Sequence, residues 1–211
     1  MLNASADASF WVMEAGISEA HDMDELGAIL RPDIALILNV GQGHTEGLGK
    51  YGVAASKARL LDYVQPGGIA VVSADYADLN AELDARAGDL EARAVTLVRF
   101  SAAEAGADFR AVYIGPSESG QGGRYEVMVR DKRLDLDTPF RGNFGSENVS
   151  AIYATACKLG LADEQIISGL AGAHLPEQRF FTVQVGNFVL IDDSYNANPL
   201  SMTRMIEAAS P

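Results

Sequence analysis

The stretch from Asp33 to Val64, DIALILNVGQGHTEGLGKYGVAASKARLLDYV, constrains the fold more than any other part of the chain. Ile34, Ala35, Leu36, Ile37, Leu38 and Val40 form a near-continuous apolar run, the pattern of a strand buried on both faces of a parallel sheet. Gly41, Gly43, Gly47 and Gly49 break the run into a loop. From Tyr51 to Val64 the spacing turns helical. Val53, Lys57, Leu60, Leu61 and Val64 share one face, because residues three, four and seven apart stack on a helix. Two residues here are unusual placements for packing alone: His44, just past the strand, and Lys57, on an apolar helical face.

The same alternation continues on both sides. FWVMEAG, ending near Glu14 and Gly16, reads as a strand, and His21 to Leu30 as a helix with acidic residues in its N-terminal half and Pro32 as its stop. Ile69 to Ser73 and Ala94 to Phe100 read as strands around an alanine-rich helix from Asp78 to Arg93. Strands alternating with helices predict a Rossmann-like, mostly parallel α/β sheet with helices on both faces. After Ser101 the pattern changes. Phe109 to Gly115, Arg124 to Arg130 and Arg133 to Thr138 read as short strands of a small antiparallel sheet attached to the parallel one. Leu134 and Leu136 alternate with Asp135 and Asp137, as in a half-exposed strand. A long helix is expected within Gly142 to Gly160 and another over Asp163 to Gly172. Pro176 suggests a boundary. Beyond it, Phe180 to Val185 and Phe188 to Asp192 form a hairpin across Gly186-Asn187, and Pro199 to Ala209 a helix. The expected domains are 1–175 and 176–211, the second being the start of a further α/β domain.

The chain has 211 residues, 48% hydrophobic and 21% charged, with a net charge of −13. That suits a globular protein with a real core and argues against a nucleic-acid partner, which needs a basic surface. It leaves room for a phosphate ligand held locally by a metal ion and a few cations. Cys157 is the only cysteine, so no intramolecular disulfide forms, in keeping with a reducing compartment. It lies in the apolar run AIYATACKLG and reads as core packing. No apolar run reaches the ~18 residues of a membrane span and no signal peptide opens the chain, so a cytoplasmic location is expected.

Three candidate groups share one structural address. Glu14, His44 and Asp192-Asp193 each follow the end of a strand, and ligands in open α/β sheets bind at strand carboxyl ends. Glu14 with His44 would suit a divalent ion; each alone is equally well a surface group. Lys57 either snorkels to solvent or is desolvated, which lowers its pKa and frees a nucleophilic amine. Arg179 either reaches a phosphate or is a surface arginine. Asp192 to Pro199, DDSYNANP, is too rich in specific polar groups for a generic connection, though an Asx-turn before a helix that starts at Pro199 would use some of them. No phosphate-binding GxxxxGK[ST] loop occurs in the sequence.

These residues resemble the Mur ligases. VMEAG is similar to the family's E-x-G segment. NVGQGHTEGLG with Lys57 in ASKARLL resembles its N-x-x-x-x-H-x-E-x-x-G and A-K-x-x-[IL] segments, and GNFGSENVSAIYATA its nucleotide-contacting G-x-H-N-x-x-N-x-x-A-A segment. DDSYNANPLSM is similar to the signature of the branch that adds D-alanyl-D-alanine to a UDP-N-acetylmuramoyl tripeptide, and it is the most specific match. The resemblance implies an ATP-dependent amide ligase of peptidoglycan synthesis acting through an acyl phosphate. ATP, UDP-MurNAc-tripeptide and D-Ala-D-Ala are its expected small-molecule ligands, and a monomer its expected state. It further implies Mg2+ at Glu14 and His44, helped by a carbamylated Lys57, with His44 and Lys57 serving the catalytic centre. It places Asn148 near the adenine, Arg179 and Asp193 near the phosphates and ribose, and Tyr195, Asn196 and Asn198 along an interdomain cleft. Phe144-Gly145 stand where the family usually has His-Asn, and Gln178 where glycine is common before Arg179. The expected unit is a central domain without its phosphate-binding loop, inactive by itself. A sister ligase with another amino-acid substrate, or a non-catalytic nucleotide-binding module, are the alternatives.

Overall fold

The computed structural model describes residues 7–19, 21–41, 52–118, 122–197 and 199–209. Six strands form one sheet in chain order: β1 (Ile34–Ile37), β2 (Ile69–Ser73), β3 (Thr96–Ser101), β4 (Phe109–Pro116), β5 (Gly123–Val129) and β6 (Lys132–Thr138). β1, β2, β3 and β4 are parallel neighbours, and β4, β5 and β6 pair antiparallel. The parallel and antiparallel parts are therefore one continuous sheet. Their junction is narrow, only Phe100 opposite Phe109 and Ser101 opposite Arg110. A parallel pair ordinarily needs a long crossover. The short 102–108 link suffices here because β4 begins where β3 ends.

Side-chain alternation along the strands builds two cores. In β2, Val71 points to one face, while Ala70 and Val72 point to the other. The Val71 face packs with Val98 and Phe100 under α4 (Phe144–Lys158) and α5 (Asp163–Ala171), through Val149, Tyr153, Ile166 and Leu170. The opposite face packs under α1 (Asp22–Leu30), α2 (Gly52–Ala58) and α3 (Ala77–Ala92), through Met23, Ala58, Leu79 and Leu83. β7 (Phe181–Val185) and β8 (Phe188–Asp192) make a separate two-stranded antiparallel sheet, followed by α6 (Pro199–Ala209).

Two sequence expectations change. Phe10 to Gly16 carries no strand. Apolar composition favours a strand only where a neighbour completes the ladder, and here Phe10, Trp11, Val12 and Met13 are exposed, with Val12 93% accessible. The helix expected over 51–64 also divides. α2 ends at Ala58 and continues as a 3-10 turn, Arg59–Tyr63. A 3-10 turn has 3.0 residues per turn, so the apolar face rotates at the junction. Ala54, Ala58, Leu61 and Val64 are buried, while Val53 and Lys57, one α-turn apart, turn away to a cleft. Arg93 secures the turn by donating to the carbonyls of Leu61 and Val64 at 2.9 Å each.

Candidate active-site cleft

The chain leaving β1 at Leu38, Asn39 and Gly41 borders a cleft of about 820 Å³. This is the carboxyl edge of a parallel strand, where ligands of open α/β sheets bind. Helix faces from α2 and α4 form its walls, and the linker before β7 and helix α6 close its far side. The cleft gathers five of the residues singled out from sequence: Glu14, Lys57, Asn148, Arg179 and Asp193. His44 and Asn198 lie outside the described residues. Tyr195 and Asn196 do not line the cleft; both are exposed, beside it in the 193–197 loop.

Lys57 sits on the cleft side of α2, half-buried, and its Nζ donates to the Asn39 carbonyl at 2.7 Å. Desolvation holds its pKa below the usual lysine value, and the nearby charge of Glu147 partly opposes that. Of the two fates open from sequence, its partial burial and its bond to the Asn39 carbonyl favour the desolvated one. Glu14 reaches the cleft from an irregular segment, not from a strand end. Among the described residues no three His, Cys, Asp or Glu side chains cluster to hold a metal by themselves.

The loop after β8 is organised by its own side chains. Asp192 Oδ1 accepts from the Ser194 N–H at 3.1 Å and from its hydroxyl at 2.6 Å, an Asx-turn. Asp193 Oδ1 accepts from the Phe180 N–H at 2.9 Å, and the Gln178 carbonyl from the Tyr195 N–H at 3.1 Å. The Arg179 guanidinium lies 4.2 Å from the centre of the Tyr195 ring, a cation–π contact. Linker and loop are thus stitched together. Phe144 and Phe180 add an apolar wall, their rings 6.1 Å apart.

The structure gives Gly145 a physical reason. A Cβ there would overlap the hydroxyl of buried Tyr125, which donates to the Gly142 carbonyl at 3.0 Å. Tyr125 thus holds the turn at the start of α4 and takes the space a side chain at 145 would need.

Sequence reading missed Glu147 and Arg204. Glu147 is only 4% exposed. Its Oε1 accepts from the Tyr76 hydroxyl at 2.5 Å, and its Oε2 lies 3.2 Å from Arg204 Nη1. Burial pushes the Glu147 carboxyl up, against the Tyr76 hydrogen bond and the Arg204 charge; burial first, and then the hydrogen bond to Glu147, push the Tyr76 hydroxyl up to about 12. A sequence signal existed. Glu147 is four residues before Ala151 and seven before Ala154, so it shares a helical row with two fully buried alanines.

A charge inversion marks the cleft. The chain carries −13 overall, yet the cleft is lined by Lys57, Arg141, Arg179 and Arg204 against the carboxylates of Glu14 and Asp193. A mostly parallel sheet whose strand edge opens on a partly apolar cleft defines an α/β domain with a cleft where ligands of this class of fold bind. Residues 1–156 match the Mur ligase middle domain, and the chain belongs to the Mur ligase family. It is 30% identical over 210 residues to the UDP-N-acetylmuramoyl-tripeptide–D-alanyl-D-alanine ligase of Escherichia coli, covering 98% of this chain and 44% of that protein. It is also 26% identical over 215 residues to the UDP-N-acetylmuramate–L-alanine ligase of a Bradyrhizobium strain, covering 98% and 43%. Among solved structures it is similar to MurF from Acinetobacter baumannii, with a TM-score of 0.77 and 26% identity over 90% of this chain and 40% of that one. The chain spans less than half the length of these relatives. No helix of the described residues is long and apolar enough to cross a membrane.

Proposed function

We propose that this chain forms the ATP-binding centre of a cytoplasmic, monomeric ligase that joins D-Ala-D-Ala to UDP-MurNAc-tripeptide. Residues 1–175 act as its central domain and 176–211 open the next. The observation that carries this reading is the inverted charge of the cleft at the end of β1, where Lys57, Arg141 and Arg179 line the cavity of an acidic chain beside Arg204, whose charge is taken up by Glu147. Such a site offsets the charge of a polyphosphate and of a phosphoryl group in transfer, the main demand of this chemistry. The DDSYNANPLSM loop beside the cleft supports the tripeptide branch of the family.

In this reading each residue has a defined task. Arg179, held by its stacking on Tyr195, and Arg141 face the phosphates. Asp193 fixes the linker through the Phe180 amide and offers its second oxygen to the ribose. Asn148 and the Phe144–Phe180 wall receive the base. Tyr195 and Asn196, beside the cleft, border the entry path of the amine substrate, and the family resemblance assigns Asn198 the same task. Magnesium suits the donors present, since it needs one or two protein oxygens beside phosphate oxygens and water; Glu14 supplies one, with His44 and a carbamylated Lys57 as further ligands. Bound there, the ion would neutralise charge on the phosphate oxygens. Lys57 is fitted to carbamylation because desolvation favours its neutral amine, whose nitrogen can add to CO2 and release a proton. The substrate carboxylate attacks the γ-phosphorus of ATP, ADP leaves, and an acyl phosphate forms. The dipeptide amine then attacks the acyl carbon, and phosphate leaves as the amide forms.

The test is ATP-dependent phosphate release by the whole ligase carrying this segment, supplied with UDP-MurNAc-tripeptide and D-Ala-D-Ala. Turnover that requires both supports the reading. Turnover with UDP-MurNAc and L-alanine instead would favour the second reading, a sister ligase, which the 26% identity to L-alanine ligases motivates. No turnover with either pair, alongside ATP binding, would leave only a nucleotide-binding module.

A further inference from the structure

Two polar side chains from two other elements converge on one buried carboxylate, and the ligase reading assigns none of the three a role. Tyr76 stands at the start of α3, Glu147 in the first turn of α4, and Arg204 in the middle of α6. Tyr76 donates to Glu147 Oε1 at 2.5 Å, Arg204 Nη1 lies 3.2 Å from Glu147 Oε2, and Arg204 Nη2 donates to the Tyr76 hydroxyl at 3.4 Å. The triangle is closed. Glu147 is 4% exposed, so its carboxylate depends on these partners in place of water.

Its position gives the triangle a consequence for the cleft. Arg204 itself borders the cleft, and Glu147 precedes Asn148, which also borders it. α6 follows directly on the loop that carries Asp193 and Tyr195. That loop is stitched to the linker by the Asp193–Phe180 and Tyr195–Gln178 hydrogen bonds. Linker, loop and α6 thus form one connected unit. The unit's apolar hairpin offers little docking of its own, because Val185, Phe188, Val189 and Leu190 are all more than half exposed. Besides the Phe144–Phe180 ring contact, the ion pair ties this unit to α4.

We propose that Arg204 is a positioning residue: its ion pair with Glu147, braced by Tyr76, sets the width of the cleft by holding α6 and the 193–195 loop against α4. As a statement about catalysis this rests on the ligase reading; as a statement about geometry it does not. A site competent for only a fraction of the time binds its ligand more weakly by that fraction. Losing the tie therefore acts first on apparent nucleotide affinity.

The experiment has two arms. In the whole ligase, Arg204→Met is expected to raise KM for ATP about tenfold while lowering kcat by less, the signature of a reduced competent fraction. Arg204→Lys, which keeps the charge, is expected to recover most of that loss. In the 211-residue chain with Cys157→Ser, spin labels at the exposed positions Asp84 and Glu207 are expected to give one narrow distance distribution that broadens in Arg204→Met. An Arg204→Met protein with unchanged melting, unchanged KM and an unchanged distance distribution overturns the proposal. If the whole ligase shows no ATP-dependent turnover, the ligase reading fails and the distance arm alone decides the clasp. Should Arg204→Met fold poorly, Tyr76→Phe removes only the brace; broadening of the distances there supports the proposal, and its absence overturns it.

Discussion

The six-stranded sheet and the hairpin-plus-helix unit that follows it are held in place by different physics. The parallel strands are covered on both faces and the antiparallel ones on one, and the two cores bury Leu61, Val71, Val72, Phe100 and Tyr125 to 0% exposure. The β7–β8 hairpin leaves Phe188 at 78%. Its strands are fully laddered, from Phe181 opposite Asp192 to Val185 opposite Phe188, but a two-stranded ladder without a covered face is marginal by itself. The sheet's stability is its own, whereas the unit's position depends on a few polar ties at the cleft. The cleft is thus bounded on one side by a well-packed wall and on the other by one held through polar ties.

The largest expected effect tests that contrast directly. Phe100→Ala, in the core under α4, should lower stability by roughly 3–5 kcal/mol, read from urea midpoints at constant slope. Phe188→Ala, on the hairpin, should fall within about 0.5 kcal/mol of the parent. Comparable losses from the two would mean that the hairpin is part of the same cooperative core, and the contrast would be gone.

Next in size is Gly145→Ala. Its Cβ would meet the Tyr125 hydroxyl and the Phe140 side chain, an overpacking expected to cost about 1–3 kcal/mol. In a Tyr125→Phe background, which removes the hydroxyl and its bond to Gly142, the same substitution should cost clearly less. A double-mutant cycle without coupling would show that Tyr125 is not what demands glycine at this position.

How much of this was legible in sequence follows the same division. Strands such as Ile69–Ser73 were readable to the residue, because a doubly covered parallel strand must be continuously apolar. The hairpin was readable from Gly186-Asn187. Phe10–Gly16 was misread, since its composition fits a strand but nothing in it specifies the partner that completes a ladder. The face of α2 was misassigned because a switch from α to 3-10 winding leaves no compositional mark. Of the cleft, Glu14, Lys57, Asn148, Arg179 and Asp193 were found through motif resemblance and strand-end placement. Glu147 and Arg204 were not, because a charged residue in a helix reads as solvated until a partner 57 positions away is known to reach it.

The smallest expected effect lies at the border between the two regions, at Lys57. Its folded pKa is depressed below its ordinary 10.5 by burial. For a base, that means the charged form is disfavoured in the fold. The cost is fully present below the folded pKa and fades as pH rises to the unfolded value. Lys57→Met removes this cost but also the 2.7 Å hydrogen bond to Asn39, itself worth about 1 kcal/mol. Solvent at the cleft mouth screens part of the penalty. The substitution should therefore change stability by less than about 1 kcal/mol at neutral pH, and the balance should shift toward destabilisation as pH approaches 10.5. Urea midpoints of the two proteins measured from pH 7 to pH 10 read this directly. A difference that stays flat across that range would mean that the Lys57 amine is as well solvated as a surface lysine.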